Sequence, residues 1–289
     1  MYLDGHRPSK YTRFSFNYAS PIFINGEKMA TITSKDGTKI AYDRQGQGPA
    51  MLLIDGAMCY RASGPMGPLA AQLKDQFTVY TYDRRGRGDS SDTMPYAVEC
   101  EIEDIAGLID EAGGSAFVYG ISSGAVLALR AAARLGNKVT KLALYEPPFT
   151  SGEAAQKAAK AYTQQLIALL AQGKRGEAVA LFMQRVGLPD EAIAGMRQAP
   201  SWPAMEALAP TLAYDDAVMD DGSLPGEAAK AADQPALVMD GGDSPAFMQA
   251  AAQALAKAMP HAKLLTLEGQ THDVKPEVLG PVLARFFQV

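Results

Sequence analysis

An α/β architecture is predicted for this 289-residue chain, with a mostly parallel central sheet, helices on both faces and a helical insertion. Three features of the sequence predict it. Apolar runs of strand length alternate with amphipathic helical stretches, first over 50–145 and again over 236–287. One such run, Phe117-Val118-Tyr119, leads through Gly120-Ile121-Ser122-Ser123-Gly124 straight into an alanine- and leucine-rich helix. Between 151 and 232 the alternation stops and helix follows helix. Strand–helix–strand alternation gives parallel strands, because the crossover helix returns the chain to the same edge of the sheet.

Taken in order, residues 1–27 read as an irregular aromatic arm carrying Tyr11, Phe14, Phe16 and Phe23. Short strands over 29–34 and 39–43 flank Lys35-Asp36-Gly37-Thr38, a hairpin turn. The run 50–54 is apolar throughout, as a strand covered on both faces must be. A helix over 69–74, a strand over 77–82, the charged glycine loop 83–90 and a helix over 96–111 follow. In that helix Val98, Ile102, Ile105 and Ile109 fall on one face. A strand over 115–119 feeds the glycine-serine turn, and the helix over 123–135 is apolar nearly all round, so it is expected to be buried on several sides. A strand over 139–145 ends in Glu146-Pro147-Pro148. In the helical stretch, Ala155, Ala159, Tyr162, Leu166 and Leu170 make one stripe, Val179, Leu181, Phe182 and Val186 a second, and the region from Trp202 to Met219 a broken third. The last strands are expected at 236–239 and 263–267, with helices over 245–259 and 276–287. The domain organisation expected is therefore an arm at 1–27, a core of 28–150 and 233–289, and an insert at 151–232.

Composition narrows the function. A net charge of −5, without a run of like charges, argues against nucleic acid or an anionic membrane as partner. No apolar stretch reaches the roughly 18 residues that span a bilayer, and the polar start Met1–Pro8 lacks the apolar region of a signal peptide, so a cytoplasmic protein is expected. The two cysteines, Cys59 and Cys100, make neither a disulfide framework nor a metal-binding spacing, and no metal or organic cofactor is implied.

The chemistry points to Ser122. In G-x-S-x-G the serine sits at the apex of a tight strand-to-helix turn, and the glycines stand where a Cβ would clash. A serine hydroxyl needs a base, an orienting acid and donors for the oxyanion. Of the three histidines, His272 follows the last strand and so shares the sheet edge of Ser122, whereas His6 and His261 read as surface residues. Arg84, Arg85, Arg87 and Asp89 lack a phosphate-loop context and read as an ion-paired structural loop.

These residues together resemble the α/β-hydrolase fold family over about 28–289. Gly120–Gly124 is similar to its nucleophile elbow, Asp83-Arg84-Arg85-Gly86-Arg87-Gly88-Asp89-Ser90 to its D-x-R-G-x-G-x-S loop, and 264–272 to its final strand and histidine loop. The insert at 151–232 falls where the family carries its cap. The resemblance implies that the backbone N–H groups of Ala57 and Ser123 form the oxyanion hole. It places the acid either at Asp243, after the strand over 236–239, or at Glu146, after the strand that follows the elbow helix. Where the family usually has His-Gly, this chain has Asp55-Gly56; Asp55 puts a carboxylate at the substrate pocket, where it would repel a negatively charged substrate or, if buried, stay protonated, and its other role is a hydrogen-bonded turn residue. Met58 and Trp202 are candidates for the pocket wall, with core packing as their other role. The expectation is a serine hydrolase acting on a small ester, lactone or thioester through Ser122, His272 and one of the two carboxylates. A ligand-binding or signalling protein with vestigial activity, an acyltransferase and a cofactor-free haloperoxidase are the alternatives.

Overall fold

The computed structural model describes residues 30–288, so the arm at 1–27 and His6 lie outside the described residues. Eight strands form one sheet: β1 (Ala30–Thr33), β2 (Lys39–Gln45), β3 (Ala50–Ile54), β4 (Thr78–Tyr82), β5 (Ala116–Ile121), β6 (Val139–Tyr145), β7 (Ala236–Gly241) and β8 (Ala262–Leu267). Their order in space is β1-β2-β4-β3-β5-β6-β7-β8. The β1–β2 hairpin pairs antiparallel and β2 joins β4 antiparallel, while every pair from β4 to β8 is parallel. The apolar runs of β3, β4 and β5 are buried on both faces, which is what crossover helices on both sides require.

Helices α1 (Met66–Leu73) and α11 (Pro276–Gln288) cover one face through Leu69, Leu73, Leu279, Leu283 and Phe287. Helices α2 (Val98–Glu111), α3 (Ser123–Leu135) and α10 (Ala246–Ala258) cover the other through Ile105, Ile109, Val126, Leu129 and Leu255. Residues 124–129 of α3 are all buried, in line with its apolar circumference. Strand β5 runs two residues past its expected end, because Gly120 and Ile121 continue the parallel ladder with Leu144 and Tyr145. The ladder therefore stops at Ser122 itself.

Between β6 and β7 the chain runs through α4 (Glu153–Ala171), α5 (Arg175–Arg185), α6 (Asp190–Met196), α7 (Trp202–Leu208), α8 (Leu212–Met219) and α9 (Gly226–Ala231), without a strand. The short α6 and α9 escape a periodicity reading because neither completes two full turns. This segment has a core of its own, in which Tyr162, Leu166, Val179, Met183, Trp202, Met205, Leu208 and Leu212 pack together. Its later part also closes the sheet's core, since Val218, Ala229 and Ala232 pack with the α3 side chains.

Candidate active site

Ser122 stands between β5 and α3 at φ 57° and ψ −129°, a conformation that costs a side-chain-bearing residue about 1–3 kcal/mol. The surroundings enforce it. A Cβ on Gly120 would lie 2.4 Å from the Gly124 oxygen, and one on Gly124 would lie 2.5 Å from the Asp55 oxygen. Strand, helix and the loop after β3 thus meet at the two glycines, and no larger residue fits. The Ser122 N–H donates to the Tyr145 oxygen at 3.0 Å, fixing the serine beside the end of β6.

The residue after Tyr145 is Glu146, and it is the carboxylate that meets His272. His272 Nδ1 lies 2.7 Å from Glu146 Oε2; a carboxylate oxygen accepts, so Nδ1 carries the proton. The other oxygen, Oε1, accepts the Gly241 N–H at 2.8 Å. Glu146 is fully buried and its N–H donates to the Met239 oxygen at 3.0 Å. The His272 loop is pinned from below, where the Tyr145 hydroxyl donates to the Thr271 oxygen at 2.6 Å. Inside the loop, Gln270 Oε1 accepts the Lys275 N–H at 3.1 Å. Asp243 is elsewhere: its side chain is exposed, and its N–H donates to the Gln270 oxygen at 2.9 Å. The reason is local. β7 gives its Gly241 N–H to Glu146, and by Asp243 the chain has already turned outward toward α10.

Positive φ marks the same place. Among the described residues four non-glycine residues adopt it, and three of them are Met58 (61°), Ser122 (57°) and Glu146 (46°). Strain of this kind persists only where the surrounding structure over-determines it. Nothing in the residue types of Met58 or Glu146 announces it.

The loop after β3 carries Asp55, Gly56 and Ala57. Gly56 lies against the serine, since a Cβ there would be 3.1 Å from Ser122 Cβ and 3.7 Å from its Oγ. Asp55 is buried. Burial pushes its carboxyl up to about 8, against the pull of Arg87 and Arg84. Burial thus favours the neutral form of the Asp55 carboxyl. Beneath the loop lies a buried ion-pair network. Arg84 is bidentate to Glu101, with both N–H···O distances 2.7 Å, and reaches Asp215 of α8 at 2.6 Å. Arg87 pairs with the second Asp215 oxygen at 2.5 Å. Burial raises the Asp215 carboxyl, but Arg84 and Arg87 outweigh it and hold the group below the usual carboxylate range. Arg85 makes a separate bidentate pair with Asp104, at 2.8 Å for each bond. The arginine loop is thus an ion-paired structural element, as its sequence context implied.

Met58 and Trp202 meet in the core of the helical segment, both buried. The Trp202 indole N–H donates to Glu206 Oε1 at 3.0 Å. His261 is at the surface beside Asp233, 3.2 Å away. Among the described residues no group of three or more His, Cys, Asp or Glu side chains is placed to hold a metal ion. No helix among them is long and apolar enough to cross a membrane.

The family model "Alpha/beta hydrolase family" matches residues 40–278. A solved α/β hydrolase from Sphaerobacter thermophilus DSM 20745 is 50% identical and superposes with a TM-score of 0.80, over 89% of this chain and 100% of that one. The uncharacterized hydrolase YraK of Bacillus subtilis (strain 168) is 33% identical over 115 residues, 38% of this chain and 42% of that protein. The pimeloyl-(acyl-carrier protein) methyl ester esterase of Stenotrophomonas maltophilia (strain K279a) is 38% identical over 114 residues, 38% of this chain and 41% of that protein. The chain thus spans about two fifths of the length of these curated relatives. The family match covers most of the residues from which the sheet, the elbow and the histidine loop are built, and the chain belongs to the α/β hydrolase family.

Proposed function

We propose that this hydrolase cleaves a small carboxylic ester, lactone or thioester through an acyl-enzyme formed on Ser122. The observation that carries this reading is a serine held at φ 57° beside a histidine whose Nδ1 is bound, at 2.7 Å, to a buried glutamate. Glu146 fixes the His272 tautomer, so Nε2 is the basic nitrogen. His272 takes the Ser122 proton as Oγ attacks the carbonyl carbon. The carbonyl π-pair moves to oxygen, and the oxyanion is received by the N–H groups of Ala57 and Ser123, each worth about 3 kcal/mol in related chemistry. His272 then protonates the leaving oxygen or sulfur as its bond to carbon breaks. Water, deprotonated by the same histidine, releases the acid and restores Ser122. The N–H of Ser123 is suited to its part because it opens α3, where the helix presents unpaired donors.

The helical segment at 151–232 is proposed as a cap over this site. An ester, rather than another carbonyl compound, is favoured by the methyl ester esterase among the relatives. The free thiols of Cys59 and Cys100 suit a reducing cytosolic compartment. The test is a fluorophosphonate probe followed by intact-mass measurement and hydrolysis of short p-nitrophenyl esters. One adduct is expected on the parent protein, with neither adduct nor turnover for Ser122→Ala. Labelling that survives the substitution removes Ser122 as nucleophile.

A further inference from the structure

The loop that carries Ala57 and the helix that begins with Ser123 belong to different parts of the sheet edge, yet a single carboxylate joins them. Asp215 of α8 accepts the Ser123 hydroxyl on Oδ1 at 2.8 Å. On Oδ2 it accepts Arg87 Nη2 at 2.5 Å. The other arm of the same guanidinium, Nη1, donates to the Gly56 oxygen at 2.6 Å and to the Cys59 oxygen at 3.2 Å. Gly56 C=O and Ala57 N–H are the two ends of one peptide plane. In a trans peptide they point in opposite directions, so a cation that grips the carbonyl from below sets where the N–H is aimed. It also polarises the amide and makes the N–H a better donor. The next residue is anchored too. Met58 belongs to the same buried cluster as Leu208 and Leu212, and Leu212 stands three residues before Asp215 in α8.

Resting on the serine-hydrolase reading, we propose that Asp215 and Arg87 are positioning residues for the oxyanion hole, linking the Ala57 and Ser123 donors into one rigid unit held from α8. Neither side chain touches the reacting atoms. A planar guanidinium is required, because it reaches a carboxylate and a carbonyl with two separate N–H arms, whereas a lysine ammonium cannot span both in the same geometry. The segment between β6 and β7 then contributes to the site through the alignment of backbone donors, whatever it contributes to substrate enclosure.

The experiment compares parent, Arg87→Lys, Ser123→Ala and the double variant. Four readouts are taken: kcat and KM on a short p-nitrophenyl ester, melting temperature, fluorophosphonate labelling, and affinity for a trifluoromethyl ketone against the methyl ketone of the same length. The trifluoromethyl ketone forms a hemiketal oxyanion; the methyl ketone measures ground-state binding. Arg87→Lys is expected to lose about 10- to 100-fold in kcat with KM within about threefold. Its trifluoromethyl ketone affinity should fall by a similar factor while the methyl ketone is unmoved. Ser123→Ala should lose about three- to tenfold in the same pattern, and the double variant should lose less than the product, because both act through Asp215. A folded Arg87→Lys protein with kcat within twofold of the parent, or with an unchanged ketone ratio, overturns the inference. If Arg87→Lys does not fold, Ser123→Ala decides alone, since it removes a hydroxyl and no charge: an unchanged kcat and ketone ratio overturns. A parent protein that neither labels at Ser122 nor turns over defeats the serine-hydrolase reading, and this inference with it. A parent that does both, with variants that match it, defeats only this inference.

Discussion

The ends of β6 and β7 look alike in sequence and behave differently in space. Each apolar strand runs into a turn with a carboxylate close behind it: Glu146 after β6, Asp240 and Asp243 around the end of β7. At β6 the carboxylate is fully buried, held by a peptide N–H on one oxygen and by His272 on the other. At β7 the first carboxylate, Asp240, is buried within the strand, and the second, Asp243, is exposed. His272 Nδ1 is bound by the carboxylate at β6. The difference teaches that a carboxylate is recruited by how its strand ends. The positive φ of 46° at Glu146 turns its side chain back under the sheet edge, where Gly241 supplies the donor. Asp243 follows two glycines that carry the chain away.

The largest effect that can break this comparison comes from Glu146→Gln. An amide at this position can still accept the Gly241 N–H, but its NH2 favours the wrong tautomer of His272, with the proton on Nε2. We expect kcat to fall about 10²- to 10⁴-fold with KM within about threefold, by analogy with an Asp-to-Asn change in a serine–histidine–aspartate triad. Stopped-flow or steady-state ester hydrolysis measures it, with near-native melting as the control. Loss of less than tenfold would show that the β6 carboxylate is not the one that orients the base.

Much of the site was legible in the residues, for reasons that differ from one residue to the next. The tight turn at Ser122 was legible because the spacing of Gly120 and Gly124, which steric exclusion demands, falls between an apolar strand and an apolar helix. His272 was legible because histidine is scarce here and the last strand fixes where its loop must lie. The choice between Glu146 and Asp243 was not legible: it depends on the backbone angle of one residue and on which neighbouring strand offers an N–H. Asp215 was invisible for another reason. It lies 131 residues from Arg84 and 128 from Arg87, and nothing in an acidic residue of a helical stretch says which buried cation it will meet. The fold was more legible than the site, since the burial of β3, β4 and β5 is written in their composition, while the short helices α6 and α9 were not.

A smaller effect separates the two buried carboxylates. Burial, then Glu146 and Glu268, raise the Asp240 carboxyl, with Thr266 pulling the other way. The folded protein therefore holds this proton more tightly than the unfolded chain does. Stability from the group is present below the ordinary carboxylate range and is lost as pH rises through the raised value. Asp240→Asn keeps the shape without the charge. It is expected to raise the melting temperature near pH 8, and by progressively less toward pH 4. A gain that does not change with pH would mean that packing, not ionisation, limits this site.

The smallest effect is expected at Asp243, and it is informative for that reason. Its carboxylate faces solvent, and the hydrogen bond it makes to the Gln270 oxygen comes from its backbone N–H. Asp243→Asn leaves that bond intact, and surface substitutions of this kind usually stay within about 0.5 kcal/mol. The variant should hydrolyse esters with kcat within about twofold of the parent and melt within about 1 °C of it. A loss of tenfold or more would require the loop after β7 to bring its carboxylate to His272 during turnover. The buried glutamate at the end of β6 would then be the structural partner, and the exposed aspartate the catalytic one.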